Sequence, residues 1–372
     1  MQTEAYSSVK VTAFKISSRK NELILHKDSK HKMSKNIPIS ILELAIVSKG
    51  SDTSETLQKT KEIAQAADAL GYNRFWLAEH HNMAHVASTA TVVLIGYIAG
   101  ETKNIRVGSG GIMLPNHSPL IIAEQFGTLE TLYPNRIDLG LGRAPGTDGL
   151  TAQAIRKDFY EESQQFPKNV AALQTYFSEE NSTSAVRAFP AEGLKVPIWI
   201  LGSSMDSAAL AAAYGLPYAF AGHFAPKQMN QAFEFYRENF EPSEYLSEPK
   251  TMACVNLIAA DTKEEAEVLS TSLYRMFLNL IQNNRQPLQP PVASLNGLMN
   301  ETERFHVDQM TACSFIGDKQ SLVKDLKKFI DFTQIDEVMI TSPIYNHVDK
   351  LKSLKIGKEV MDEINLNLIL ID

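Results

Sequence analysis

The 372-residue chain is 44% hydrophobic and 21% charged, with a formal net charge of −7. Those proportions exclude a disordered or fibrous protein, and the negative charge argues against nucleic acid or an anionic membrane surface as partner. Charge is uneven, because residues 1–36 carry eight Lys/Arg against three Asp/Glu. That segment lacks the apolar core of a signal peptide. It reads as a disordered tail or as sequence upstream of a start at Met33, with a basic targeting arm as the alternative. The longest apolar run, Ala208 to Ala221, is broken by Gly215 and Pro217, so no membrane span is expected. Two cysteines, Cys254 and Cys313, without CxxC spacing suit a reducing cytoplasm.

Ordered structure is expected from Ile37. The run Ile37 to Ala45 is a strand, and KGSDTS after it supplies helix N-cap residues. Leu57, Ile63, Ala64, Ala67 and Leu70 then recur at helical spacing, and Gly71 is the stop. Arg74 to Ala78 is the second strand and Ser88 to Glu101 an apolar helix. Ile105 to Gly110 is the third strand, and Ser118-Pro119 opens a helix to about Tyr133. Arg136 to Leu141 is the fourth strand, with Asp138 pointing opposite to Ile137 and Leu139. Residues 144–196 break the rhythm as an insertion of one or two helices. Strands Pro197 to Leu201, Pro217 to Ala221 and Thr251 to Ala260 follow, with helices Ser204 to Tyr214, Lys227 to Asn239 and Lys263 to Ile281. A second insertion, 283–310, is rich in Asn, Gln and Pro and is expected to be a long loop. Helix Lys319 to Phe332, strand Asp336 to Thr341 and a closing helix end the set. Eight strands each followed by a helix force parallel pairing through right-handed crossovers. Residues 37–372 therefore form one (β/α)8 barrel domain with insertions after the fourth and seventh strands.

In such a barrel the segments following the strands meet at one mouth. The second strand ends in Glu79-His80-His81-Asn82, three titratable groups that are costly to desolvate without partners. Alternation puts Glu79 and His81 on one side and His80 on the other; His80 and His81 are the candidate catalytic residues. A metal site here needs further ligands, for which His85 and Asp138 are candidates, and adjacent strand histidines point apart. Gly110-Gly111 after the third strand lets a flat ligand approach the backbone. Arg143 after the fourth needs an anionic partner, a ligand or a structural carboxylate. Leu201-Gly202-Ser203-Ser204, with Ser207 three residues on, opens a helix N-terminus able to cradle a phosphate. His223-Phe224 and Tyr345-Asn346-His347 are pocket-wall candidates. A phosphate cradle, an arginine and a flat slot imply a phosphorylated planar cofactor. FMN fits better than NAD, since no GxGxxG opens the chain, and no Walker A loop is present.

The segments WLAEHHN, VGSGGIMLPNHSPLIIAEQFGTLETL, RIDLGLGRAPG and PIWILGSS together resemble the bacterial luciferase-like flavin monooxygenase superfamily, in its single-chain branch. The resemblance runs from about Ile37 to the last helix. It implies a barrel that uses reduced FMN, delivered by a separate flavin reductase, with O2 as cosubstrate and a small organic substrate. Glu79 resembles the family glutamate near the flavin and His80 its general acid or base. Gly110-Gly111 sits where relatives have a non-proline cis peptide. Arg143, Ser204 and Ser207 correspond to flavin-phosphate ligands, and Lys168 stands where relatives often carry a second phosphate-binding arginine. Ser203 stands where the luciferases proper have an acidic residue, and Gly142 replaces their reactive cysteine, so light emission is not expected. The alternatives are a flavin-storage protein without turnover and a deazaflavin- or FMN-dependent reductase of the same fold. Relatives pair through helices flanking the second and third strands. The apolar 88–101 helix, with Val92, Val93, Leu94, Ile95, Tyr97 and Ile98, therefore points to a homodimer, burial under the insertions being the other explanation.

Overall fold

The computed structural model describes residues 36–369; most of the N-terminal tail expected from the sequence lies outside them. In chain order the elements are β1 (Ile39–Glu43), α1 (Thr53–Leu70), β2 (Arg74–Leu77), α2 (Thr91–Glu101), β3 (Arg106–Ser109), β4 (Ile112–Met113), α3 (Pro119–Leu132) and β5 (Ile137–Gly142). The first insertion holds α4 (Gly149–Ile155), α5 (Phe159–Gln164) and α6 (Phe166–Phe177). Then come β6 (Ile198–Gly202), α7 (Met205–Ala213), β7 (Tyr218–Phe220), α8 (Met229–Glu238), β8 (Thr251–Ala259) and α9 (Lys263–Ile281). The chain continues through α10 (Glu301–Met310), β9 (Ser314–Gly317), α11 (Lys319–Thr333), β10 (Glu337–Thr341) and α12 (His347–Ile369).

β1, β2, β3, β5, β6, β7, β8 and β10 pair in parallel around a ring that closes where β10 lies between β8 and β1, with Ile39 opposite Val338 and Met252 opposite Glu337. The fold is a (β/α)8 barrel. Two short strands lie off the ring: β4 extends the wall beside β5, and β9 pairs with the far half of β8. The helices begin and end where local chemistry directs. Asp52 accepts the Glu55 N–H at the start of α1, and Gly71 ends that helix at φ 78°, a conformation that costs glycine least. The start of the first strand and the last helix are knit together: the Ile37 N–H donates to Asn365 Oδ1 of α12, and Asn365 Nδ2 donates back to the Ile37 carbonyl.

Three expectations need correction. The 88–101 helix starts at Thr91, because Ser88 and Thr91 both donate hydroxyls to the Ala78 carbonyl and tie the preceding turn to the strand end. The first insertion holds three helices instead of one or two. The second is no plain loop. It contains α10, opened by a reciprocal capping box between Asn300 and Glu303.

Inside the ring the side chains stack in layers. At the strand starts, Arg74 Nη1 bonds Asp138 Oδ2 at 2.5 Å and Arg74 Nε bonds Glu337 Oε1 at 3.0 Å. Arg106 Nη2 reaches Asp138 Oδ1 at 2.7 Å, Trp76 Nε1 donates to Asp138, and Ser40 Oγ donates to Glu337. Asp138 and Glu337 are fully buried. Burial pushes the Asp138 carboxyl up, but Arg74 and Arg106 outweigh it and hold it below the usual range. Asp138 thus pairs with arginines and has no part in a metal site with His85. Above this layer Trp76 and Trp199 meet edge to face, 5.5 Å between centroids, with the Arg74 guanidinium 5.0 Å from the Trp199 ring. Higher still, Leu42, Ala78, Ala219, Cys254 and Met339 complete the inner cluster. No helix among the described residues is long and apolar enough to cross a membrane.

Removing one partner of a buried pair leaves the other charge uncompensated. Asp138→Ala is expected to destabilise the fold by about 3–5 kcal/mol, read as a lower denaturation midpoint at unchanged slope in urea. A loss below about 1 kcal/mol would show that the arginines find other partners.

Candidate active site

The barrel opens at its carboxyl end into a cavity of about 970 Å³. Its floor is the upper inner layer, Leu42, Ala78, Ala219, Cys254 and Met339, and one side is the backbone of Gly110 and Gly111, joined by a cis peptide. A Cβ on Gly110 would stand 2.6 Å from Leu42 Cδ1, and one on Gly111 2.8 Å from the Gly140 carbonyl. Backbone blocks a side chain at Gly111, and one at Gly110 would have to displace Leu42, so the wall there is bare peptide. This part of the cavity fits the planar ring that the sequence points to.

Strand alternation divides the EHH segment. His80 faces the cavity. Its Nδ1 is buried and has no hydrogen-bond partner. Burial lowers its pKa against the opposing pull of Glu79, so the imidazole is neutral at pH 7. Glu79 and His81 lie off the cavity wall and bond each other, Nε2 to Oε1 at 2.9 Å. Glu79 is 1% exposed, and its carboxylate collects further donors: Nε2 of His117 at 2.9 Å, the Met113 N–H at 3.1 Å and Asn116 Nδ2 at 3.2 Å. Burial pushes this carboxyl up, but the bonds from His117 and His81, the His117 charge and Asn116 prevail, and its pKa falls to about 2. Ionised at neutral pH, Glu79 fixes the loops after β2 and β4 against each other. His117 and Asn116 were not singled out from the sequence; the signal was the polar pair in LPNH, just past the double glycine.

The phosphate-cradle residues gather on another side. Gly142, Arg143, Leu201, Gly202, Ser203, Ser204 and Ser207 all line the cavity. Ser204 is the N-cap of α7 and makes no side-chain capping bond, so its hydroxyl and the first N–H groups of the helix are available to an anion. Ser207 Oγ is already engaged, donating to the Ser204 carbonyl at 2.7 Å and meeting the Tyr218 hydroxyl at 3.0 Å. A Cβ on Gly202 would sit 2.2 Å from Ser207 Oγ, so this glycine is needed for the turn to close. Arg143 is half exposed and touches only Asp206, at 3.3 Å. A pair that open to water holds the guanidinium weakly. Lys168 is exposed on α6 and is not on the wall, although Phe166 and Pro167 beside it are. His85 and His223 also present buried, unpartnered Nδ1 atoms, and both line the cavity. Burial, and next the neighbouring His80, lowers the His223 pKa to about 3. Tyr345 and His347 bond elsewhere, to the Lys49 carbonyl and to Glu62.

The family described as luciferase-like monooxygenases matches residues 38–333. The chain belongs to that family. A luciferase-like monooxygenase of Escherichia coli is 45% identical over 330 residues, covering 89% of this chain and 98% of the relative. The N-acetyl-S-alkylcysteine monooxygenase of Bacillus subtilis is 32% identical over 329 residues, covering 86% and 97%. Among solved structures, the oxygenating constituent of 3,6-diketocamphane monooxygenase from Pseudomonas putida, in complex with FMN, superposes with a TM-score of 0.66 at 16% identity, covering 88% of this chain and 99% of that one. The last similarity shows the fold alone. The cavity lies at the carboxyl ends of the strands, where a barrel of this fold carries its chemistry.

Because the Glu79 pKa is depressed, its contribution to stability is complete above about 4.5 and is lost as pH falls through about 2. Glu79→Gln is therefore expected to lower stability at pH 7 and to flatten the decline between those values. Parallel stability–pH curves for variant and wild type would contradict the assignment.

Proposed function

We propose that this luciferase-like monooxygenase takes reduced FMN from a separate flavin reductase and uses it with O2 to oxidise a small organic substrate. The observation that carries the reading is His80: an imidazole that lines the cavity beside the bare Gly110-Gly111 peptide and whose buried Nδ1 has no partner in the protein. A storage protein needs the slot and the phosphate cradle but no buried proton exchanger, which is why turnover is favoured. The relatives of 45% and 32% identity, both named as monooxygenases, support oxygen chemistry in this cavity.

In this reading Gly110-Gly111 would hold the flavin ring, and Arg143, the Ser204 hydroxyl and the first N–H groups of α7 would hold its phosphate, where charge-assisted bonds and the helix dipole act together. When bound, reduced FMN supplies the two electrons with which O2 gives one oxygen atom to the substrate and one to water. The chain contributes what the cofactor lacks. Apolar walls exclude water, and His80, uncharged at neutral pH, accepts and returns a proton. Glu79, His81 and His117 hold the segment that carries His80 and do not themselves meet the ring. The exposed apolar residues Val93 and Tyr97 on α2, with Ile121 and Leu132 on α3, support pairing of two copies through that face.

Two variants separate the roles. His80→Ala should slow substrate oxidation by about 10²–10⁴ with flavin affinity nearly unchanged, and His80→Asn should not restore the rate. Arg143→Ala should weaken reduced-FMN binding by about 2 kcal/mol and leave the rate at saturating flavin largely intact. The readout is oxygen uptake with a flavin reductase present, screened over aldehydes, ketones and thioethers. Stopped-flow absorbance tests the whole reading: reoxidation of reduced FMN as fast with the protein as without it would refute a monooxygenase.

A further inference from the structure

The charged side chains on the cavity wall are Arg143, Asp206 and Arg285. Arg143 and Asp206 face each other beside the helix N-terminus. Arg285 has other partners, the Asn82 carbonyl and a long ion pair with Asp148, and it lies near His85, whose pKa is lowered by burial and next by the Arg285 charge. It belongs to the start of the second insertion, and this span is tied at both ends. On one side the Asn283 and Asn284 N–H groups donate to the carbonyls of Leu280 and Asn279 in α9. On the other, Leu288 exchanges backbone bonds with the loop after β1, donating to the Val47 carbonyl and accepting from the Lys49 N–H, both at 2.9 Å. The arginine is therefore presented on fixed backbone.

Its existing partners use little of it. Nη1 donates to the Asn82 carbonyl at 3.2 Å and approaches Asp148 Oδ2 at 3.5 Å. Asp148 is satisfied without it, since it accepts the Thr151 N–H and hydroxyl at 3.0 Å each and caps α4. A guanidinium has five N–H donors in a fixed fork, so most of the Arg285 donor capacity is unused. The cavity that Arg285 and His80 both line carries apolar side chains, among them Ile46, Met83, Val86, Phe277 and Leu280, beside the polar His85 and Gln286. A cavity of about 970 Å³ is at the upper end for a single small-molecule site and has room for a second ligand beside a cofactor.

We infer that Arg285 is the anchor for an anionic head group, and that the organic substrate is a carboxylate-bearing molecule with an apolar body. This rests on the reading above, in which Arg143 and the start of α7 meet the cofactor phosphate. The carboxylate accepts the free N–H groups of Arg285 at the rim. The apolar body runs along the Met83–Phe277 wall and brings a carbon or heteroatom toward His80.

The test measures binding without flavin, so that it can fail independently of the monooxygenase reading. Octanoate and its uncharged isostere octanamide are titrated calorimetrically into the full chain at pH 7.5. Wild type is expected to bind octanoate at least about tenfold more tightly than octanamide, the scale of a charge-assisted hydrogen bond. Arg285→Ala should abolish the difference, Arg285→Lys should retain about threefold of it, and Arg143→Ala should leave it in place. Equal affinity for acid and amide, a preference that survives Arg285→Ala, one that vanishes in Arg143→Ala, or no octanoate binding at millimolar concentration would each overturn the inference. Loss of flavin reactivity with the octanoate preference intact would instead sink only the monooxygenase reading.

Discussion

Everything above the barrel floor depends on Arg74 being held between Asp138 and Glu337. Three charges with no access to water at the start of the strands are a liability unless every donor and acceptor finds a partner. Here Arg106, Ser40, Trp76 and Asn73 complete the set. The network joins β1, β2, β3, β5 and β10, so it fixes the register of most of the ring from the inside. Strand alternation then dictates the rest. With Arg74 and Trp76 pointing into the barrel, Ala78 and His80 must follow on the same side, and Glu79 must turn toward the loops.

The same strand carries buried charge at both ends, handled differently. At the lower end opposite charges are matched within the ring. At the upper end a single carboxylate, Glu79, is held ionised by hydrogen bonds from imidazoles and amides of neighbouring loops. The lower arrangement is rigid scaffold. The upper one is a joint between segments, and it leaves the adjacent His80 nitrogen without a partner inside the protein. An orphaned buried nitrogen is tolerated in a folded chain when a ligand completes it.

The strands and most helices were legible because hydrophobic period and cap chemistry agree locally, as with Asp52 and Gly71 around α1. The residues after the strands were legible for the same reason: once the barrel is inferred, chain order alone brings Gly110, Arg143 and Ser204 to one mouth. What the sequence hid is long-range. His117 reaches Glu79 across 38 positions, and no local pattern signals that contact. Lys168 carries a motif position but lies two residues past Phe166, about 200° around the helix, which turns it from the wall that Phe166 lines. The insertions were hardest. The Asn300/Glu303 capping box was readable but sat in a composition typical of loops, and Arg285 acquires its setting only through a backbone bridge to the loop after β1.

The closure of the ring has a consequence for how the chain is made. β1 is the first barrel strand to be synthesised, yet one of its two neighbours, β10, is among the last, and the residue that clasps Ile37 is Asn365. Until roughly the final tenth of this sequence is available, β1 presents an unpaired edge, and an open sheet edge of apolar sequence is a template for the wrong partner. A nascent chain of this design cannot complete its barrel piecemeal from the N-terminus. It must be kept from self-association until the last strand arrives, so its yield in a cell is governed by the interval between the two ends as much as by the stability of the finished ring.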